Sequence, residues 1–433
     1  MDNLLKELEA LKINENVANE KLWTSCIELV QKTFVPQKNF GVDRPLVEKD
    51  FREYRQIIDR NLQNILSTLQ HIHEYKEKCS ESDFNAILVH TFAINIIALV
   101  GEHHEKNVWN TAESVLLSKQ IILSCCSLFN CFNVDKFIQK DNNFNAVLLL
   151  LRPKLMKDTW KTYPAAVSCY KWLLHIVEKP ILYDNMNDVL PTALIIIDDY
   201  VPENIFIGLE CLHEIVRHSQ MKKNFVSNGY AELIYQTLEK ITYTREAKYI
   251  MPLYSCLTDL LTVIEYSDTN INVFEWTKRD DILATLLDNM EFEQNVELRH
   301  AYMSSVTPLL TNVGCAKWCE RLSRILSEYC QHHTNLNTLK ATLEAAKTFL
   351  HIFNLRVSEH CIPLYSAFLK LHIDLTETPV FDKQIIRNLE TCISMLYKLT
   401  PDIGAMIIRD CRIQSIVKNN LQLECLGDSR YFF

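Results

Sequence analysis

The chain has 433 residues, 48% of them hydrophobic, and sets 45 Lys and Arg against 54 Asp and Glu for a formal net charge of −9. That apolar content excludes wholesale disorder, and the acidic balance excludes the broad basic field that phosphate neutralisation demands of a nucleic-acid binder or a basic membrane-surface protein. Only 7 residues are glycine, against a usual share of about 7%, whereas phosphate-cradling loops, doubly wound nucleotide folds and tight hairpins need glycine where φ is positive or a ligand nears the backbone.

From the N-terminus, Met1-Asp2-Asn3-Leu4-Leu5-Lys6-Glu7 is acidic and amphipathic without an uninterrupted apolar core, so no signal peptide is expected. Helices are predicted over roughly 3–11, 19–34, 48–78, 83–100, 110–130 and 134–149, with looser segments at 36–45 and 179–187. The most membrane-like stretch, Phe84 to Val100, carries Asn85, His90 and Asn95 at scattered phases and reads as a buried helix. The apolar run from Val147 to Leu151 closes a helix begun near Asp135 and stopped by Pro153.

Helical spacing then becomes regular, as in Ile205, Leu209, Leu212 and Val216, in Trp318, Leu322, Ile325 and Tyr329, in Leu339, Leu343, Ala346, Leu350 and Phe353, and in Leu389, Ile393, Leu396 and Leu399. Breaks fall at Asp198-Asp199-Tyr200-Val201-Pro202, at Ser227-Asn228-Gly229 and at Thr400-Pro401. Pairing these helices places hairpin starts near residues 186, 229, 279, 315, 358 and 400, intervals close to the roughly 40–47 residues of two-helix HEAT or armadillo repeats. The expected fold is all-α, a right-handed α-solenoid, with an irregular helical region over 1–180 and a repeat array over 181–433.

The 15 cysteines are odd in number and dispersed through apolar helices, as at Cys169, Cys211, Cys256 and Cys392, which fits reduced cytosolic thiols; the expected location is cytoplasmic and nuclear. His213 and His218 are five residues apart, about 140° round a helix rather than on one face, so they read as a solvated helix end rather than a metal pair. Cys315, Cys319, Cys330 and His332 match a zinc set by count, but Cys330 lies about three turns beyond Cys319. Cys125, Cys126 and Cys131 sit in an apolar helix, and Glu102-His103-His104-Glu105 after Gly101 reads as a polar loop following a helix C-cap. Asp198–Asp199 and Asp280–Asp281 stand at helix boundaries, where carboxylates accept exposed backbone N–H groups. With no nucleophile elbow, phosphate loop or kinase-like set, no catalytic, cofactor-binding or metal residue is expected.

The stretch from Asp188 through Leu190-Pro191, Asp198-Asp199-Tyr200, Glu203-Asn204 and Gly208-Leu209-Glu210-Cys211-Leu212-His213 resembles the signature hairpin of the Tel-two-interacting-protein-two family. Further matches are Arg299-His300-Ala301-Tyr302, Cys319-Glu320-Arg321-Leu322 and Leu339-Lys340-Ala341-Thr342-Leu343-Glu344, so the resemblance covers about the C-terminal 250 residues. It implies a non-enzymatic scaffold without cofactors. The expected partners are the two larger helical subunits of the Triple-T cochaperone complex. With the ninety-kilodalton heat-shock chaperone, that complex supports phosphatidylinositol-3-kinase-related kinases, and through them TOR, telomere and DNA-damage signalling.

Two other readings fit the residues: a different α-solenoid adaptor, although the six tryptophans form no periodic ladder, and a helical enzyme with an unrecognised site. Asp198, Asp199, Tyr200, Glu203 and Asn204 are expected to be structural, one aspartate capping the following helix. The apolar tail ending in Tyr431, Phe432 and Phe433 is expected either to fold back on the last repeat or to dock a partner.

Overall fold

The computed structural model describes residues 15–38, 44–76, 86–220, 224–267, 274–331, 335–376 and 382–409. Every regular element among them is helical. The chain divides into two compact units, residues 1–219 and 220–433.

The first unit contains α1 (Glu15–Thr33), α2 (Arg52–Lys76), α3 (Ala86–His103), α4 (Ala112–Leu128), α5 (Val134–Gln139), α6 (Asn143–Leu151), α7 (Pro164–Ile176), α8 (Met186–Ile197) and α9 (Pro202–Ser219). Helix α3 is its axis and packs on α1, α4, α6 and α7. It is long and apolar enough to cross a membrane, but its composition has another use: almost every residue from Phe92 to His103 is buried against those neighbours.

Three expectations change here. The helix expected over 134–149 is two helices, because Asp141 and Asn142 take consecutive left-handed conformations at φ 50° and 62°, which an α-helix of L-residues cannot continue through. Helix α3 does not end at Gly101. A Cβ on Gly101 would lie 2.4 Å from Cys169 Sγ and 2.9 Å from the Trp172 ring, so this glycine admits α7 and is not a C-cap. The division expected after residue 180 falls inside the first unit, because α9 packs on α7 as well as on α8.

The second unit contains α10 (Tyr230–Ile241), α11 (Ala247–Ser267), α12 (Lys278–Glu291), α13 (Val296–Leu309), α14 (Cys315–Gln331), α15 (Leu336–Ile352), α16 (Cys361–Thr376), α17 (Lys383–Leu399) and α18 (Pro401–Ile408). Consecutive helices pair as hairpins, α10 with α11, α12 with α13, α14 with α15 and α16 with α17. The second members stack as one row, α11 on α13 on α15 on α17, and the first members as another, α12 on α14 on α16. This two-row stack of hairpins is the α-solenoid architecture. The first helices of the hairpins begin at residues 186, 230, 278, 315 and 361, and α18 at 401, each within three residues of the expected starts.

Position in the stack sets sequence. Helix α13 buries Leu298, Arg299, Ala301, Tyr302, Met303, Ser305, Val306 and Leu309, a surface too wide for one stripe, because it touches α11, α12 and α15. The turns within hairpins are fixed by side-chain caps: Asn295 accepts Glu297 and Leu298 N–H, Asn335 accepts Thr338 N–H, and Asp382 accepts Gln384 N–H. Each satisfies a helix donor that has no intrahelical partner.

Candidate functional site

Among the described residues no three His, Cys, Asp or Glu side chains are placed to hold a metal ion. His218 is buried, not solvated as its sequence position suggests, and burial lowers its pKa. Of the cysteines described, all but the half-buried Cys131 are buried; burial pushes the Cys26 and Cys392 thiols up to about 12 and Cys126 to about 11, away from the thiolate a nucleophile needs. A cavity of about 20 Å³ lined by Leu148, Arg152, Tyr170 and Asp188 has room for a single water molecule.

The end of α3 carries the densest buried polar cluster, which the sequence placed in a loop. The Glu102 carboxylate accepts the Val35 N–H at 2.8 Å and lies 3.8 Å from Lys154 Nζ. Burial pushes its pKa up to about 7, against the pull of Lys154 and the Val35 N–H. The Tyr54 hydroxyl donates to the Thr33 carbonyl at 2.7 Å, and His103 Nε2 lies 3.0 Å from the same hydroxyl oxygen. With the phenolic proton committed, His103 is the neutral tautomer that donates from Nε2, and burial pushes its pKa down to about 3. Trp109 Nε1 donates to the Glu102 carbonyl and Ser118 Oγ to the His103 carbonyl. Perturbed groups of this kind often mark active sites. Here the described bonds run to the scaffold, tying the end of α1, α2, α3 and α4 together.

The signature hairpin α8–α9 has its own geometry. Asp199 does not spend its carboxylate on backbone N–H groups: one oxygen lies 2.9 Å from Lys161 Nζ and the other accepts the Asn204 side-chain amide. Pro202 at the first helical position has no N–H to satisfy, and the N–H groups of Asn204 and Ile205 bond to the Val201 carbonyl. The Lys161 ammonium also sits 4.8 Å from the ring centre of Tyr200 and 5.7 Å from that of Trp160. Asp198, Tyr200 and Glu203 are exposed, Asn204 half-buried. Gly208 admits α8: a Cβ there would lie 2.6 Å from Ile197 Cβ and 2.7 Å from Ile197 Cα and N.

In the second unit, Arg279 is fully buried and grips Glu265 with Nε–Oε1 at 2.6 Å and a second bond at 2.9 Å, which ties α12 to α11. Asp280, also buried, accepts the Thr277 N–H at 2.8 Å and the Trp318 indole N–H at 2.7 Å, and pairs with Lys317 at 2.6 Å. Burial works against its charge, but these partners outweigh it and hold the carboxyl below its ordinary range. Its neighbour Asp281 is exposed. Arg299 stacks 3.8 Å from the Tyr329 ring centre and donates to the Glu293 carbonyl, joining α13 to α14. Tyr431, Phe432 and Phe433 lie outside the described residues.

Buried polar groups engaged in holding helix to helix, together with stacked hairpins, define a helical-repeat protein. No protein-family model matches the chain. It is 27% identical over 304 residues to human TELO2-interacting protein 2, covering 66% of this chain and 58% of the human protein. The rat protein of the same name is 27% identical over 296 residues and the mouse protein 26% over 295, each match covering 64% of this chain and 56% of the relative. The similarity to TELO2-interacting protein 2 runs over about two thirds of this chain, and the matched part spans less than three fifths of those relatives' length. Among solved structures, importin beta is similar at a TM-score of 0.49 and 11% identity over 94% of this chain and 48% of that one.

Proposed function

We propose that the chain is a non-enzymatic scaffold subunit that binds TELO2 within the Triple-T complex. Its partners there are the two larger helical subunits, and with the ninety-kilodalton heat-shock chaperone the assembly supports folding and stability of phosphatidylinositol-3-kinase-related kinases in cytoplasm and nucleus. The observation that carries this reading is the 27% identity over 304 residues to a protein whose name states the interaction. The two-row hairpin stack supports it by offering long helical surfaces for partners, and the engagement of the buried titratable groups in helix-to-helix bonds favours a scaffold over an enzyme.

The test is depletion of the protein in its own cells. Steady-state amounts of those kinases should fall several-fold with transcript levels unchanged, and re-expression should restore them. Unaltered kinase amounts after complete depletion would refute the reading.

A further inference from the structure

We infer that Trp276 and Asp281, at the start of α12, form a receptor for a cationic side chain, arginine or lysine, on a segment of a protein partner. Phe274 and Trp276 are 79% and 60% exposed, a large aromatic area to leave in water. Trp276 is nevertheless held. Its indole N–H donates to Asp281 Oδ1 at 2.6 Å, and its ring centre lies 5.5 Å from that of the buried Trp318. Trp318 is itself anchored by its N–H on Asp280. The exposed indole is therefore a fixed surface whose single hydrogen-bond donor is already used, so what it offers is the electron-rich face of the ring. Preorganised tryptophans of this kind dominate binding energy at protein interfaces.

Charge decides what that face is suited to. The three cations along this stretch each have a carboxylate: Lys278 pairs with Glu232, Arg279 with Glu265, and Lys317 with Asp280. Lys317, although 5.9 Å from the Trp276 ring centre, is thus neutralised where it stands. The Asp281 carboxylate receives only the neutral indole N–H among the bonds described for it, and its negative charge sits at the edge of the exposed ring. A partner's guanidinium or ammonium would stack on the ring and meet that carboxylate at once, both contacts favourable. A nucleic-acid strand would find the same aromatic surface beside a charge that repels its phosphates, so a protein segment is the occupant the site favours.

The inference rests on the proposed TELO2 interaction for the identity of the partner, and the experiment separates the two. Purified full-length chain, wild type and the variants Trp276→Ala and Asp281→Asn, is titrated against purified TELO2 at low and high salt by biolayer interferometry, with circular dichroism confirming the fold. Asp281→Asn keeps an acceptor for the indole N–H and removes only the charge. Trp276→Ala should weaken binding about tenfold; Asp281→Asn should weaken it about fivefold at low salt and flatten the salt dependence. Wild-type affinity in both variants overturns the inference. If wild-type chain does not bind TELO2, the proposed function fails, and a second arm decides the inference: fluorescence titration with a blocked hexa-arginine peptide against a blocked hexa-glutamate peptide. Arginine-selective binding lost in both variants supports the receptor; equal binding to wild type and variants, or a preference for glutamate, overturns it.

Discussion

Replacing Gly208 by alanine tests the crossing of α8 and α9 in the signature hairpin. In a helix interior the substitution on its own would stabilise by about 1 kcal/mol through propensity. Against that, the added Cβ would stand 2.6 Å from Ile197 Cβ and 2.7 Å from its Cα and N, where ordinary contacts begin near ~3.4 Å. No rotamer change removes these atoms, so α9 must retreat by most of an ångström from a helix against which it packs closely. Overpacking of this kind costs about 1–3 kcal/mol, and backbone contact puts it at the upper end. The net loss is about 2 kcal/mol, which for a unit of this size lowers the melting midpoint by roughly 4–8 °C. Thermal melting followed by circular dichroism reads it. Adding Ile197→Ala should not rescue the variant, since alanine keeps the clashing Cβ, Cα and N. Gly229→Ala is the control: with φ at 80° and nothing within 4 Å of the new Cβ, it should cost only the left-handed strain of about 1–2 kcal/mol. A Gly208→Ala protein that melts at or above the wild-type temperature would refute the crossing geometry.

Three further outcomes follow from the buried charges. Glu102, with its folded pKa raised to about 7 from an ordinary 4.5, contributes stability that is present below pH 4.5 and lost as pH rises through 7, whereas His103, lowered from 6.5 to about 3, contributes stability present above pH 6.5 and lost as pH falls toward 3. The two slopes oppose each other between pH 4.5 and 6.5, so Glu102→Gln should leave the His103 slope uncompensated, its stability relative to wild type rising with pH by about 1 kcal/mol per unit; parallel urea-denaturation curves of the two proteins at every pH would contradict the assignment. Arg279→Ala should cost about 3–5 kcal/mol by stranding Glu265, and Arg279→Met with Glu265→Met should recover most of it, both read by urea denaturation. Asp199→Ala should cost about 1–3 kcal/mol by leaving the Lys161 ammonium and the Asn204 amide without their carboxylate, and an unchanged melting midpoint would refute that pairing.

The hairpin array was legible because its helices repeat apolar residues at 3.6-residue spacing and stop at residues with known cap chemistry, as at Asn295, Asn335 and Asp382. The break at Asp141–Asn142 was signalled by the run Asp141-Asn142-Asn143, but the apolar periodicity on either side of it argued for continuity. In the sequence Glu102 and His103 have the signature of a polar loop, because charge after a glycine usually marks a helix end; only the approach of Cys169 and Trp172 to Gly101 shows why that helix continues. The partners of Asp199 and Arg279 lie 38 and 14 residues away, at Lys161 and Glu265, and helical periodicity carries no information about which charges meet across a helix pair. The Trp276 platform was equally hidden, since its fixed orientation depends on Trp318 in another hairpin.

The most direct test of the central claim is reconstitution. Purified chain and purified TELO2 from the same organism are mixed and passed through size-exclusion chromatography with light scattering. Under the proposed function the chain should elute with TELO2, or with TELO2 and the third helical subunit, as one species whose mass is the sum of its components. Separate elution of this chain, with and without the third subunit, would contradict the account.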